Sequence, residues 1–260
     1  MQPGPYRRDE GRAIIGRDMN IVLTNDDGYE AAGLRAAYEA VRKLGQVHVV
    51  APKSERSACS HTITLRRPIT VERHQLAALG KVFAVDGTPA DCVRLAFAAL
   101  LDRPIDLLVS GINHGANAGV DTFYSGTIAG AREAAILGIP AIAVSQAMRT
   151  DVPVNWDEAA QITRHIVEDL LKETLPAPGF WSVNLPAPIP SEPQTHIHRV
   201  PVAVHPMPMN FDRSEQENGR VLQFDYGVSY WLRDVSGPSD YSVIRDGEIA
   251  VTAIPLYGRF

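Results

Sequence analysis

Two adjacent carboxylates, Asp26 and Asp27, follow the short apolar run 21–23 and are followed in turn by Gly28. Acids at the carboxyl end of a buried strand sit where parallel α/β sheets bind ligands, and hard carboxylate oxygens there suit a hard cation. The alternative is a solvated turn in which an Asp caps the next helix and Gly28 supplies an unusual backbone angle. Three further segments offer oxygen donors in similar places. The apolar run 47–51 leads to Pro52-Lys53-Ser54-Glu55-Arg56-Ser57, with a hydroxyl at Ser57 that could instead cap a turn. The run 107–109 enters Ser110-Gly111-Ile112-Asn113-His114-Gly115-Ala116-Asn117, where glycines permit tight turns around two amide side chains. Tyr124-Ser125-Gly126-Thr127 precedes an Ala/Gly-rich helical pattern, and free N–H groups and hydroxyls at a helix start can hold a phosphate; Ser125 also suits an ordinary cap.

These segments need a scaffold that brings strand ends together. Strand patterns at 21–23, 47–51, 82–85, 105–110 and 141–145 alternate with helical patterns at 33–44, 90–101, 126–137 and 156–172. Thr88 and Pro89 suit the cap and first position of the second helix. That order predicts a Rossmann-like, doubly wound, mostly parallel α/β sheet over residues 19–175. Beyond it, prolines crowd the chain and the apolar runs 181–185, 197–204, 221–226 and 249–254 are strand-like, so 176–260 reads as a β-rich extension of the same functional unit. Tyr226, Tyr230 and Trp231 make an arm around 221–231 aromatic, which suits a subunit interface or packing within one subunit. Residues 1–18, ahead of Met19, read as an extension or as the product of an upstream start codon.

Composition excludes other classes. With 45% hydrophobic and 21% charged residues, the chain can build a buried core. A formal charge of −5 offers no general attraction for nucleic-acid duplexes or anionic membranes, so phosphate recognition must be local. Cys59 and Cys92 lack zinc or redox spacing, and neither an export signal nor a span of about 20 apolar residues is evident, which points to the cytoplasm.

The joint order of Thr24-Asn25-Asp26-Asp27-Gly28, Glu55-Arg56-Ser57, His61 with Ile63-Thr64, Gly87-Thr88-Pro89-Ala90-Asp91-Cys92, Ser110-Gly111-Ile112-Asn113 and Tyr124-Ser125-Gly126-Thr127 resembles the SurE survival-protein family of metal-dependent nucleotidases. Weaker echoes follow in Val183-Asn184-Leu185-Pro186 and in Val251-Thr252-Ala253-Ile254-Pro255-Leu256. The resemblance implies a divalent metal held by Asp26, Asp27, Ser57 and Asn113, and a phosphate held near Ser125, Gly126 and Thr127 with Asn117 close by. It implies hydrolysis of nucleoside monophosphates to nucleoside and phosphate, and a carboxyl-terminal half used in forming a homodimer or homotetramer. An all-oxygen donor set independently favours one Mg²⁺ or Mn²⁺ over zinc. Asp26 or Asp27 is then the candidate base, and His61 or His114 a candidate acid for the leaving group.

Three rivals remain distinct. Haloacid-dehalogenase-like phosphatases place a nucleophilic Asp where this chain has Asn25, and an amide cannot form an aspartyl-phosphate. A dinucleotide-binding turn would need GxGxxG where acids stand here. A non-catalytic metal- and nucleotide-binding module would share the same motifs. Two departures from the family pattern also stand out: Glu30 adds an acid in the replaced turn Tyr29-Glu30-Ala31-Ala32-Gly33, and Cys59-Ser60 precedes His61 where smaller residues are usual.

Overall fold

Alternating apolar residues send side chains from each central strand to two faces, and both faces are covered by helices. The structure, a computed structural model, describes residues 19–173, 178–216, 220–227, 230–233 and 236–257; the amino-terminal extension lies outside the described residues. The strands are β1 (Met19–Thr24), β2 (Gly45–Pro52), β3 (Val71–Leu76), β4 (Gly80–Val85), β5 (Leu107–His114), β6 (Ala141–Gln146), β7 (Gly179–Leu185), β8 (Ile197–Arg199), β9 (Phe211–Gln216), β10 (Val221–Tyr226) and β11 (Ile249–Pro255). The α-helices are α1 (Ala32–Val41), α2 (Pro89–Leu95), α3 (Asp121–Tyr124), α4 (Gly126–Ile136), α5 (Trp156–Leu170) and α6 (Asp240–Arg245).

Nine strands form one sheet in the order β3-β4-β2-β1-β5-β6-β7-β11-β8. The run from β4 through β7 is parallel, while β3 and β11 add antiparallel pairs at β4 and β7. In β1, Ile21 and Leu23 join α1 and α5 in one core, whereas Val22 faces α2 and α4 in the other. The fold is therefore the doubly wound α/β sheet expected from the sequence, and β7, β8 and β11 continue that sheet into the carboxyl-terminal part. Strand order reverses between β1 and β5, so their carboxyl ends flank the crevice where such sheets bind ligands.

The cap reading of α2 holds: Thr88 accepts the Asp91 N–H through its hydroxyl, and Asp91 returns a bond to the Thr88 N–H. The helical pattern 90–101 ends earlier as an α-helix and continues as a π-turn over Ala96–Leu100. The run 197–204 yields only the three-residue β8, which stops before Pro201. Strands β9 and β10 form a separate antiparallel hairpin whose residues are all exposed. Among the described residues, no helix is long and apolar enough to cross a membrane.

Candidate active site

The loop after β1 is shaped by Asn25 and Gly28. Asn25 Nδ2 donates to Gly28 O at 2.9 Å, and Gly28 takes φ +102°, a conformation that disfavours a Cβ. This turn brings β2's loop alongside: Tyr29 N donates to Pro52 O at 2.9 Å and Arg56 N to Asp26 O at 2.7 Å. Ser57 is thereby carried to the carboxylate pair, with its hydroxyl donating to Glu55 Oε1 at 2.6 Å.

On the opposite side, β5 is irregular. Its pairing with β6 shifts register between Ser110 and Asn113, and a Cβ at Gly111 would lie 2.1 Å from Val144 O. The bulge re-aims the strand end toward the crevice. Asn113 Nδ2 donates to Gly115 O at 2.7 Å, while Asn113 Oδ1 lies 3.5 Å from the Thr127 hydroxyl oxygen. Asp27 Oδ2 accepts the His114 N–H at 3.1 Å. Asn117 is locked from beneath: its N–H donates to Asn184 Oδ1 at 2.8 Å, its Nδ2 to Ser145 Oγ at 2.9 Å, and its carbonyl accepts Asn184 Nδ2 at 3.2 Å. The Val183-Asn184-Leu185 segment thus serves the site from the adjoining strand.

Helix α4 supplies the third wall. Ser125 caps it, its Oγ accepting the Ile128 N–H at 3.1 Å, and the same residue lines the cavity, so cap and ligand-facing roles coincide. Thr127 donates its hydroxyl to Asp26 Oδ1. Gly126 presses against that carboxylate, since a Cβ there would stand 2.8 Å from Asp26 Cβ and Oδ2. Burial, reinforced by the neighbouring Asp27 charge, raises the Asp26 carboxyl from 3.8 to about 6 despite the Thr127 bonds. Burial also raises Asp27, against the His114 N–H bond that lowers it.

The result is a cavity of about 350 Å³. Asp26, Asp27, Ser57 and Asn113 line one end, with Asn117 and Ser125 beside them. Gly126 and Thr127 are not among the lining residues but lie against Asp26. His61 is not among the residues that line this cavity. Its Nε2 lies 2.8 Å from Glu133 Oε2 on α4, and Arg94 Nη1 donates to Glu133 Oε1 at 2.9 Å. Burial pulls the Glu133 carboxyl upward, but these two partners outweigh it and hold the carboxyl below its usual range. His114 does line the cavity, its ring tilted against Trp156 at 5.8 Å.

Sequence reasoning missed residues on the opposite wall. Met207, Pro208, Tyr226 and Arg233 reach the cavity from the carboxyl-terminal half, and Asp121 and Tyr124 from the short helix α3. No spacing or strand-end rule pointed to the first four; an Asp two residues after Gly119 could have been read as a helix cap.

Among the described residues, no group of three His, Cys, Asp or Glu side chains is arranged to hold a metal, and no Lys or Arg pairs with Asp26 or Asp27. Two adjacent carboxylates, Asp26 buried and Asp27 half-buried, without a cationic side chain and joined by a hydroxyl and an amide oxygen, fit a hard divalent cation.

Comparison with known proteins agrees with this geometry. The family model described as "Survival protein SurE" matches residues 21–205. A protein of Myxococcus xanthus named 5'-nucleotidase SurE is 42% identical over 245 residues, covering 93% of this chain and 89% of that protein. A protein of the same name from Geotalea daltonii is 39% identical over 243 residues, covering 92% of this chain and 93% of its own. The crystal structure of the SurE protein from Aquifex aeolicus superposes with a TM-score of 0.79 at 32% identity, covering 92% of this chain and 94% of that one. The chain belongs to the SurE family.

Proposed function

We propose that the protein is a 5'-nucleotidase: a phosphoric monoester hydrolase that converts nucleoside monophosphates to nucleoside and phosphate with the help of one divalent cation, Mg²⁺ or Mn²⁺. The observation that carries this reading is the convergence of Asp26, Asp27, Ser57 and Asn113 in one cavity with the capped start of α4. Similarity to 5'-nucleotidases over nearly the whole chain supports it. Short polyphosphates present the same terminal phosphoryl group and fall within the same chemistry.

In this reading Asp26, Asp27, Ser57 Oγ and Asn113 Oδ1 hold the cation. A cation held there lowers the pKa of water and neutralises charge gathering on the phosphoryl oxygens. Each carboxylate has one oxygen oriented by a fixed donor, Thr127 for Asp26 and the His114 N–H for Asp27, so the pair keeps its direction without rearrangement. The Ser125 hydroxyl, which accepts the Ile128 N–H and keeps its own proton to donate, and the second Asn117 Nδ2 hydrogen receive phosphate oxygens. Water then forms a new O–P bond as the ester P–O bond breaks, one Asp accepts the water's proton, and the departing nucleoside oxygen takes a proton from solvent or from His114. His61 acts at a distance, pinning the Ser57 loop to α4 through Glu133. Asn25 stands where a covalent phosphatase would need its nucleophile, so attack is direct.

The exposed β9–β10 hairpin supports a homodimer or homotetramer in which a second copy covers it, because an isolated two-stranded hairpin is marginally stable in water. A cytoplasmic location fits the two free cysteines, Cys59 and Cys92.

The test is phosphate release from a panel of nucleoside monophosphates by EDTA-stripped protein before and after Mn²⁺ or Mg²⁺ is restored. Metal-dependent release is the expected result. Nucleotide binding without release above the metal blank would overturn it in favour of a non-catalytic binding module.

A further inference from the structure

Arg233 belongs neither to the metal donor set nor to residues 21–205 that the family model matches, yet it lines the cavity. Its side chain is 5% exposed, and a buried cation costs several kcal/mol unless its partners are well placed. Two of those partners lie on one segment. Arg233 Nη2 donates to Asp121 Oδ1 at 2.7 Å and Nη1 to Ala118 O at 3.0 Å, while the guanidinium stacks 5.3 Å from the Tyr241 ring centroid.

Asp121 relays this hold toward the phosphate end. Its Oδ2 accepts the Ala118 N–H at 3.2 Å, and its carbonyl accepts the Ser125 N–H at 2.9 Å. Ser125 is the residue that caps α4 and lines the cavity. A second fastening comes from α6, where Asp240 Oδ2 accepts the Gly119 N–H at 2.9 Å and Oδ1 the Ala203 N–H at 2.8 Å. Segment 118–125 is thus fixed from the carboxyl-terminal half, and Arg233 is the attachment that also faces the ligand space.

We infer that Arg233 is a positioning residue for phosphate recognition, holding the 118–125 segment through Asp121 so that the start of α4 keeps its geometry. The inference rests on the phosphomonoesterase reading. Arg233 acts on groups that grip the phosphoryl oxygens before and during reaction alike, so its loss weakens binding more than turnover. A direct salt bridge from Arg233 to substrate makes the opposite demand on Asp121, because neutralising that carboxylate would release the guanidinium to the ligand.

The experiment compares wild type with Arg233→Met, Arg233→Lys, Asp121→Asn and the Arg233→Met/Asp121→Asn double variant, all as the Mn²⁺-loaded full chain. It reads KM and kcat for a nucleoside monophosphate, the inhibition constant for inorganic phosphate, and thermal melting. Arg233→Met and Asp121→Asn should each raise KM and the phosphate inhibition constant about tenfold while kcat stays within about threefold. The double variant should be no worse than Arg233→Met, as expected for residues acting in one chain of contacts, and Arg233→Lys should recover part of the loss. A lower kcat at unchanged KM would mean that only the folded fraction had changed and would overturn the inference. A fall in KM for Asp121→Asn would overturn it in favour of direct contact. Should Arg233→Met fail to fold, Arg233→Lys and Asp121→Asn carry the same comparison. Wild type that releases no phosphate would defeat the nucleotidase reading instead, and calorimetric titration of inorganic phosphate into the same proteins would still decide whether Arg233 positions the anion site.

Discussion

Replacing Asp26 with Asn should stabilise the metal-free protein while destroying its activity. Asp26 is 4% exposed, and its carboxyl is raised by burial and by Asp27 from 3.8 to about 6. Below pH 3.8 the folded and unfolded chains both hold the proton, and the carboxyl adds no penalty. Between 3.8 and about 6 the unfolded chain ionises first, so stability falls as pH rises; above 6 the penalty is constant at about 3 kcal/mol. Asn resembles the neutral carboxyl and keeps one acceptor, although it loses a second oxygen that Thr127 N–H or the cation can use. The net gain for Asp26→Asn at pH 7.5 in EDTA should therefore be about 1–3 kcal/mol, or about 3–10 °C in melting temperature. At pH 4 the two proteins should melt together. Added Mn²⁺ should reverse the ranking, since a cation at about 100 times its dissociation constant stabilises wild type by about 2.7 kcal/mol and the variant by little. Circular-dichroism melts from pH 4 to 8, with EDTA and with Mn²⁺, measure all of this beside phosphate release. A variant less stable than wild type in EDTA at pH 7.5, or a gap that does not change with pH, would refute the argument from a buried carboxylate.

Ser57→Ala should raise the Mn²⁺ concentration needed for half-maximal activity about tenfold or more with little change in melting, as read by metal titration of the stripped enzyme. Gly126→Ala places a Cβ 2.8 Å from the Asp26 side chain and 2.9 Å from Cys59 Sγ, so activity should fall more than tenfold at a stability cost of about 1–3 kcal/mol, checked by kinetics and urea unfolding. His61→Ala should cost about 1–3 kcal/mol by leaving the buried Glu133 with Arg94 alone, while kcat falls less than tenfold; a loss above a hundredfold would identify His61 as a catalytic acid. Phe224→Glu, at a hairpin residue that is itself 56% exposed, should lower the mass measured by light scattering without altering the fold by circular dichroism.

How far the chain could be read before its structure depended on whether a position announces itself locally. The apolar strands β1, β5 and β6 are buried on both faces over nearly their whole length, and β2 is from Val49 onward, so their runs are continuous and recognisable. Strands β3, Val-Glu-Arg-His-Gln-Leu, and β9, Phe-Asp-Arg-Ser-Glu-Gln, are edge or exposed strands and carry the polar residues of loops. At the site, Asp26, Asp27, Asn113, Asn117 and Ser125 were legible because each lies at or just past the end of a strand or at the start of a helix, where polar residues among glycines are conspicuous, whereas Ser57, five residues past β2, was legible only as part of the recurring motif order. His61 was legible as a motif residue but not as a contact, since its partner Glu133 lies 72 positions away on the exposed-looking side of a small-residue helix. Arg233 carried no local mark at all: its role depends on Asp121, 112 positions earlier.

The same distinction changes how the two halves of the chain relate. The polar residues that line one side of the cavity lie within residues 26–127 and could be arranged by the parallel sheet alone. Met207, Pro208 and Tyr226, on and beside the exposed hairpin, add an apolar and aromatic lining, and Tyr226 Oη is tied back to Pro208 O at 2.6 Å. A hairpin without a core of its own takes its order from what packs on it. If a second copy covers β9 and β10, assembly steadies Tyr226, and the Phe224→Glu variant should then show a higher KM for nucleotide with an unchanged inhibition constant for inorganic phosphate. Equal weakening of both would place the effect at the phosphate end and separate the hairpin from the nucleoside.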